Sequence, residues 1–328
     1  VPYRAQLLIM EISIEGWRQC VVDMVPAELV RFDEPMSRHT SFKIGGPADV
    51  FLAPRSYDDL LTCLEVVKKN GLPCFLLGGG TNILVADRGI RGVVISTAGL
   101  DSISVTGERL TAEAGARVED VCMVAAEYGL SGVEFINGMP GSIGGAVWMN
   151  ARCYGNSISE VLEQVEVVGE DLSLTTVSCD PSQFDYKRSP FQAMSGCIWQ
   201  VKLHLKKGDR QEIYRKMEEN HKDRVDKGHF KAPSAGSLFK NNHDFGAPTG
   251  KIIDELGLRG VTSGGAAIAP FHGNIFINQN NATAGDVLSL IRLAVEKAAR
   301  ERGIRLEPEV RLVGDWSPEE LSFLTNVA

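Results

Sequence analysis

Two glycine-rich strings constrain the chain most, Gly78-Gly79-Gly80-Thr81-Asn82 and Gly138-Met139-Pro140-Gly141-Ser142-Ile143-Gly144-Gly145-Ala146. Backbone free of side chains lets amide N–H groups converge on an anion, and Thr81, Asn82 and Ser142 add hydroxyl and amide donors. Either string alone reads equally as a tight turn, because glycine is the default wherever φ must be positive. The familiar nucleotide signatures fail. Gly141-Ser142-Ile143-Gly144-Gly145 does not fit GxGxxG, and Gly246 to Ile252 has neither P-loop glycine spacing nor a Ser or Thr after Lys251. A dinucleotide bound here would need another architecture, with two separate loops gripping one diphosphate.

At 328 residues the chain is too long for one typical core, so two or three compact units are expected. A net charge of −8 disfavours general attraction to nucleic acid or anionic membrane and confines any phosphate site to a local pocket. The apolar runs are too short for a membrane span, and Glu11 and Glu15 interrupt the segment where a signal peptide would be apolar. A cytoplasmic protein is expected. Seven widely spaced cysteines without a CxxC pair read as buried free thiols, and six scattered histidines imply no metal site.

Ser56 followed by Asp58, Asp59 and an apolar stripe to Asn70-Gly71 predicts a capped helix. Cys74 to Leu77, Ile83 to Val85 and Val93 to Ile95 then read as strands around the first glycine string. Short alternating runs between Ser102 and Leu205 predict a second α+β unit, with a helix near Val118 to Tyr128. The charged stretch from Asp209 to Lys227 suits an exposed helix bridging to a third unit. That unit ends with a helix capped at Thr283 and stopped at Gly303, and a strand predicted from Leu306 to Val313.

Six strings in order resemble the UDP-N-acetylenolpyruvoylglucosamine reductase family: His39 to Asp49, Leu77 to Leu84, Gly138 to Ala151, Pro233 to Asn241 (PSAGSLFKN), Gly264-Gly265-Ala266 and Leu306 to Val310 (LEPEV). The resemblance implies an α+β fold of the vanillyl-alcohol-oxidase (PCMH) type, with two FAD-binding subdomains and a C-terminal α+β substrate-binding domain. The expected units are an N-terminal extension (1–30), subdomains at 31–101 and 102–210, a substrate domain at 211–316 and a tail (317–328). It implies NADPH as co-substrate, reduction of an enolpyruvyl sugar nucleotide in peptidoglycan synthesis, and a monomer acting on small molecules. Residues 76 to 97 hold no histidine or cysteine to tether a flavin, so the FAD is expected to be noncovalent. The short Gly257 to Pro270 region resembles the compact form of the family.

The same resemblance places individual residues. Gly78, Gly79, Gly80, Thr81, Asn82, Gly141, Ser142, Gly144, Gly145 and Ala146 fall at the FAD diphosphate. Ser237 matches the serine that gives a proton to the substrate carbon beside the carboxylate. A serine hydroxyl is a poor acid, and it serves only because the developing enolate is strongly basic and held close. Glu309 matches the glutamate that, with a cation, stabilises the enolate. The family's Tyr-Arg-x-Ser-x-Phe stands here as Tyr186-Lys187-Arg188-Ser189-Pro190-Phe191, with lysine at the arginine position. Lys187 keeps register; Arg188 keeps the bidentate fork but would face solvent if the stretch is extended. Tyr186, Asn241 and Lys227 fall at substrate positions, although Gly228-His229 replaces the family's Gln-Pro after Lys227. Two other readings remain open: a flavin oxidase on the same scaffold, and a noncatalytic nucleotide-sugar sensor.

Overall fold

The computed structural model describes residues 14–324. Residues 1–13 of the expected extension and 325–328 of the expected tail lie outside the described residues. Helix α1 (Ile14–Met24) buries Val21 in the first core. That core lies on a four-stranded sheet in which β1 (Val30–Pro35) pairs antiparallel with β2 (Pro47–Leu52). Beyond β2 the order continues with strands β5 (Ile90–Ser96) and β3 (Cys74–Leu77), both parallel to it. Helix α2 (Tyr57–Asn70) connects β2 to β3; its Ser56 cap accepts from Asp59 N, and Gly71 closes it at φ 60°. The first glycine string is the turn from β3 into β4 (Ile83–Val85).

A five-stranded antiparallel sheet follows, in the order Leu174–Ser178, Leu162–Gly169, Gly196–His204, Arg109–Glu113, Ile103–Thr106. Helices α3 (Val118–Glu127) and α4 (Ile143–Trp148) cover it through Val121, Ala125, Ile143 and Val147. Helix α5 (Arg210–Asp226), capped by Asp209, corrects the expectation of an exposed bridge: Ile213 and Met217 are buried in this same core. Two apolar residues a helical turn apart suffice for one narrow buried stripe, while Glu212, Arg215 and Glu219 pair on the solvent face.

The third layer is a small antiparallel sheet, Ser234–Ser237, Ile275–Asn278, Ala266–Ile268, Thr262–Ser263. It packs with α6 (Thr249–Glu255) and α7 (Ala284–Arg302) around Phe239, Phe276, Val287 and Ile291, and the same core takes in Phe42, Ile44 and Leu84. The layers are further stitched by Ser41 Oγ donating to Ser234 O (2.7 Å), and by Asp87 accepting from Ala284 N and Gly285 N at the start of α7. The strand predicted over Leu306 to Val313 is shorter than expected: only Arg311–Val313 is a strand, parallel to β4. Pro308 has no N–H to continue a ladder; it forms one bridge with Phe239, and Glu309 N donates to Leu238 O (2.7 Å).

Candidate active site

A cleft of about 1180 Å³ opens between the three layers, lined by both glycine strings and by Ser237, Glu309, Lys187, Tyr186, Asn241 and Lys227. Its size exceeds the ~300–1,000 Å³ of a pocket for one drug-sized ligand, which suits a dinucleotide and a second ligand together. Every residue placed at the site from the sequence lines this cleft; Arg188 is exposed and does not.

The two glycine strings meet each other. A Cβ on Gly79 would fall 2.6 Å from Gly141 Cα, so only bare backbone permits this approach, and one on Gly80 (φ 63°) would fall 1.9 Å from His39 O, against the chain before the first string. Ser142 Oγ caps α4 by accepting from Gly145 N (3.3 Å) and also accepts from Gly79 N (3.1 Å), joining the two loops. Ile143 N and Gly144 N donate to Ala116 O and Ala114 O. Several amides expected to face a diphosphate are thus bonded within the protein, and the glycines act here first by letting the loops close on one another. The resulting smooth cradle, running along the cleft wall from Phe75 to Ala146, fits a flavin dinucleotide.

Asn82 ties this cradle to the other side of the cleft. Its Nδ2 donates to Glu309 O (3.2 Å), and its carbonyl accepts from Arg311 N. Glu309 is therefore set between the first loop and Leu238, the residue after Ser237. Lys187 Nζ lies 2.6 Å from Glu309 Oε1, with side chains 17% and 10% exposed. The geometry behind this pair corrects the extended conformation considered for the segment. Asp185 and Arg188 bridge across a tight turn, and Lys187 sits in it at φ 57°. Gln192 Nε2 donates to both Lys187 O and Trp148 O, and Ser189 Oγ also donates to Trp148 O, which anchors the turn to the end of α4. Lysine in a left-handed turn is not legible from side-chain alternation.

Tyr186 Oη accepts from Asn241 N (3.4 Å), and Asn241 Oδ1 accepts from Thr249 N (2.9 Å) at the start of α6. Lys227 stands elsewhere on the lining, at the end of α5, paired with Asp223 at 2.7 Å. Sequence reasoning missed Tyr154, whose Oη also donates to Asp223 (2.7 Å), and His229. Hydrogen bonds from Lys227 and then Tyr154 hold the Asp223 carboxyl below its usual range. Burial first, and then the charges of Arg224, His272 and Lys227, push the His229 imidazole down to about 4. Arg311, two residues past Glu309, stacks over Trp148 at 4.5 Å. The one sequence signal at this rim was the departure Gly228-His229. Cys74 also differs from the buried thiol expected, being exposed.

Residues 228–313 match the family model described as UDP-N-acetylenolpyruvoylglucosamine reductase, C-terminal domain, and residues 48–178 match an FAD binding domain. The UDP-N-acetylenolpyruvoylglucosamine reductase of Treponema denticola is 42% identical over 304 residues, covering 88% of this chain and 94% of that one. The chain belongs to the UDP-N-acetylenolpyruvoylglucosamine reductase family. The family member from Caldanaerobacter subterraneus is 41% identical over 284 residues, covering 86% and 93% of the two chains. The crystal structure of the reductase from Thermus caldophilus, 33% identical, superposes with a TM-score of 0.71 over 85% of this chain and 97% of that one. The fold is the flavin-binding α+β type expected from the resemblance. Within the reductase family frame, Ser237, Asn241 and Glu309 fall inside the matched C-terminal segment, whereas Tyr186, Lys187 and Lys227 fall between the two matched segments.

Proposed function

We propose that this protein reduces UDP-N-acetylglucosamine enolpyruvate to UDP-N-acetylmuramate with NADPH and noncovalent FAD, a step of peptidoglycan precursor synthesis. The observation that carries this reading is the largely enclosed Lys187–Glu309 pair, fixed beside the strand end that bears Ser237 and tied through Asn82 to the glycine cradle. When bound, FAD supplies the hydride carrier between NADPH and the vinyl carbon of the substrate.

Glu309 and Lys187 face the substrate carboxylate, where negative charge grows as the enolate forms. A fixed cation held by a buried carboxylate needs no reorganisation at that moment, and preorganised charge of this kind is the largest usual contribution to rate. Ser237, on the strand beside Glu309, gives the proton to the carbon next to the carboxylate. Gln192 and Ser189 keep the Lys187 turn in place, and Asn241 with Tyr186 orients the nucleotide sugar. Lys227 exchanges its Asp223 partner for substrate phosphate.

The chain is read as a cytoplasmic monomer divided near 31–101, 102–210 and 211–316, with α5 leaning on the second unit. No helix among the described residues is long and apolar enough to cross a membrane. The hairpin and turns over 257–270 leave no room for a long substrate loop, which supports the compact form. The test is anaerobic stopped-flow absorbance. NADPH is expected to bleach the flavin band and the enolpyruvyl substrate to restore it; reduced flavin that ignores this substrate but reoxidises rapidly in air overturns the reading in favour of an oxidase.

A further inference from the structure

Arg224 is the one buried basic residue among the described residues, 7% exposed. The other buried charged groups have partners: Glu34 meets His39 at 2.8 Å, Asp49 meets Arg91 at 2.9 Å, and Glu134 accepts from Ser131 Oγ and Gly132 N. Among the described residues Arg224 has no ion-pair partner. Its Nη2 meets only the Cys153 thiol at 3.2 Å, and its Nε is buried without a partner. Asp223, its neighbour in sequence, is engaged by Lys227 and Tyr154 instead. A buried ion without a countercharge costs several kcal/mol. A fold that keeps one, in the wall of a cleft, leaves that countercharge to a ligand.

The position says which part of the cleft is involved. Arg224 lines it at the end of α5, and a Cβ on Gly138 would come within 3.3 Å of its Cδ, so it packs against the first residue of the second glycine string. The amides of Ile143, Gly144 and Gly145 in that string are bonded within the protein, so a side-chain cation supplies what those three do not. Arg224 lies outside both matched family segments, 48–178 and 228–313. We propose that Arg224 is the fixed cation for a diphosphate bound at the foot of the second glycine string, with the flavin dinucleotide as its resident source. This rests on the flavoenzyme reading. A permanently bound cofactor compensates a permanently buried charge, whereas the exposed Lys227 suits a substrate that comes and goes.

The test compares wild type with Arg224→Met, of similar bulk without charge, and Arg224→Lys, which keeps charge but loses the fork. Release of flavin from diluted holoenzyme is followed by its fluorescence. FAD is expected to bind about ten- to a hundred-fold more weakly to Arg224→Met, as for loss of a charge-assisted hydrogen bond. Arg224→Lys should fall between. After flavin removal, the melting temperature of Arg224→Met should equal or exceed wild type, because the methionine relieves the unpaired charge. Unchanged flavin retention with a tenfold weaker affinity for UDP, titrated calorimetrically into holoenzyme, would keep the diphosphate receptor but make the nucleotide sugar its source. Unchanged affinity for both, or equal destabilisation of Arg224→Met with and without flavin, would overturn the proposal and leave Arg224 structural. A wild type that retains no flavin would instead remove the flavoenzyme reading, and the UDP titration would then decide Arg224 alone.

Discussion

Two lysine–carboxylate pairs line the same cleft at nearly the same separation, Lys187–Glu309 at 2.6 Å and Lys227–Asp223 at 2.7 Å. Their side chains are 17% and 10% exposed in the first pair, 53% and 38% in the second. Distance is common to both and burial is not. In the interior, attraction is strong but so is the cost of stripping water from each ion, so the partners depend on each other. At the rim, water solvates whichever partner is released, and the pair exchanges easily for a ligand. On the proposed function, the first pair stays closed around the reacting atoms and the second opens for an incoming phosphate.

Lys187→Met tests the dependence most severely. Leaving Glu309 buried without its cation should cost about 3–5 kcal/mol of stability, measured by denaturant unfolding, and Lys187→Met with Glu309→Leu should recover most of it. Single and double variants should both slow flavin reoxidation by the enolpyruvyl substrate about 10²–10³-fold, with NADPH still bleaching the flavin at the wild-type rate. A variant that slows both half-reactions equally would show the pair to be scaffold. Glu309→Gln should be milder, because the amide oxygen can still accept from Lys187; reoxidation is expected to fall about 10²-fold with stability lowered by less than in Lys187→Met.

The rim also carries a pH signature. His229 is pushed down to about 4 by burial and then by Arg224, His272 and Lys227, with Asp223 opposing. Its unfolded value is the ordinary 6.5, so as pH falls from 6.5 toward 4 the unfolded chain takes a proton that the folded chain refuses. Stability is present above 6.5 and lost through that window, by at most about 3 kcal/mol before solvent screening is discounted. His272 is shifted the same way, mainly by burial, and adds to the slope. Thermal melts of ligand-free protein between pH 7 and 5 should fall more steeply for wild type than for His229→Gln; parallel curves would refute the assignment.

The inner site was more legible in the sequence than the rim, for a physical reason. Ser237 and Glu309 sit in short strings whose neighbours are all constrained by the same junction: the Phe239–Pro308 bridge and the Asn82 contact to Glu309. The resemblance of those strings to the family is what made the two residues legible. Helix α2 was readable likewise, since Ser56 and Gly71 act within a turn of the ends they cap. Of the rim residues, only His229 carried a local signal, the departure Gly228-His229; nothing local marks Arg224 or Tyr154. Arg224 sits in a run of charged residues that looks solvated, and its burial follows from how α5 settles through Ile213 and Met217. The Lys187 turn escaped notice because its conformation depends on Gln192 and Ser189 reaching Trp148 O, and on no pattern within 185–188.

Lys227→Ala is the smallest expected effect on stability and the sharpest check on the contrast. An exposed pair contributes about 0–1 kcal/mol, and Tyr154 remains to donate to Asp223, so the unfolding midpoint should hardly move. Affinity for UDP should nevertheless fall about tenfold at low ionic strength if, as proposed, the released lysine meets phosphate, and the difference should narrow as salt screens it. A Lys227→Ala protein that unfolds several kcal/mol more easily would mean that the rim pair behaves like the buried one. A wild-type UDP affinity in that variant would mean that Asp223 never lets the lysine go.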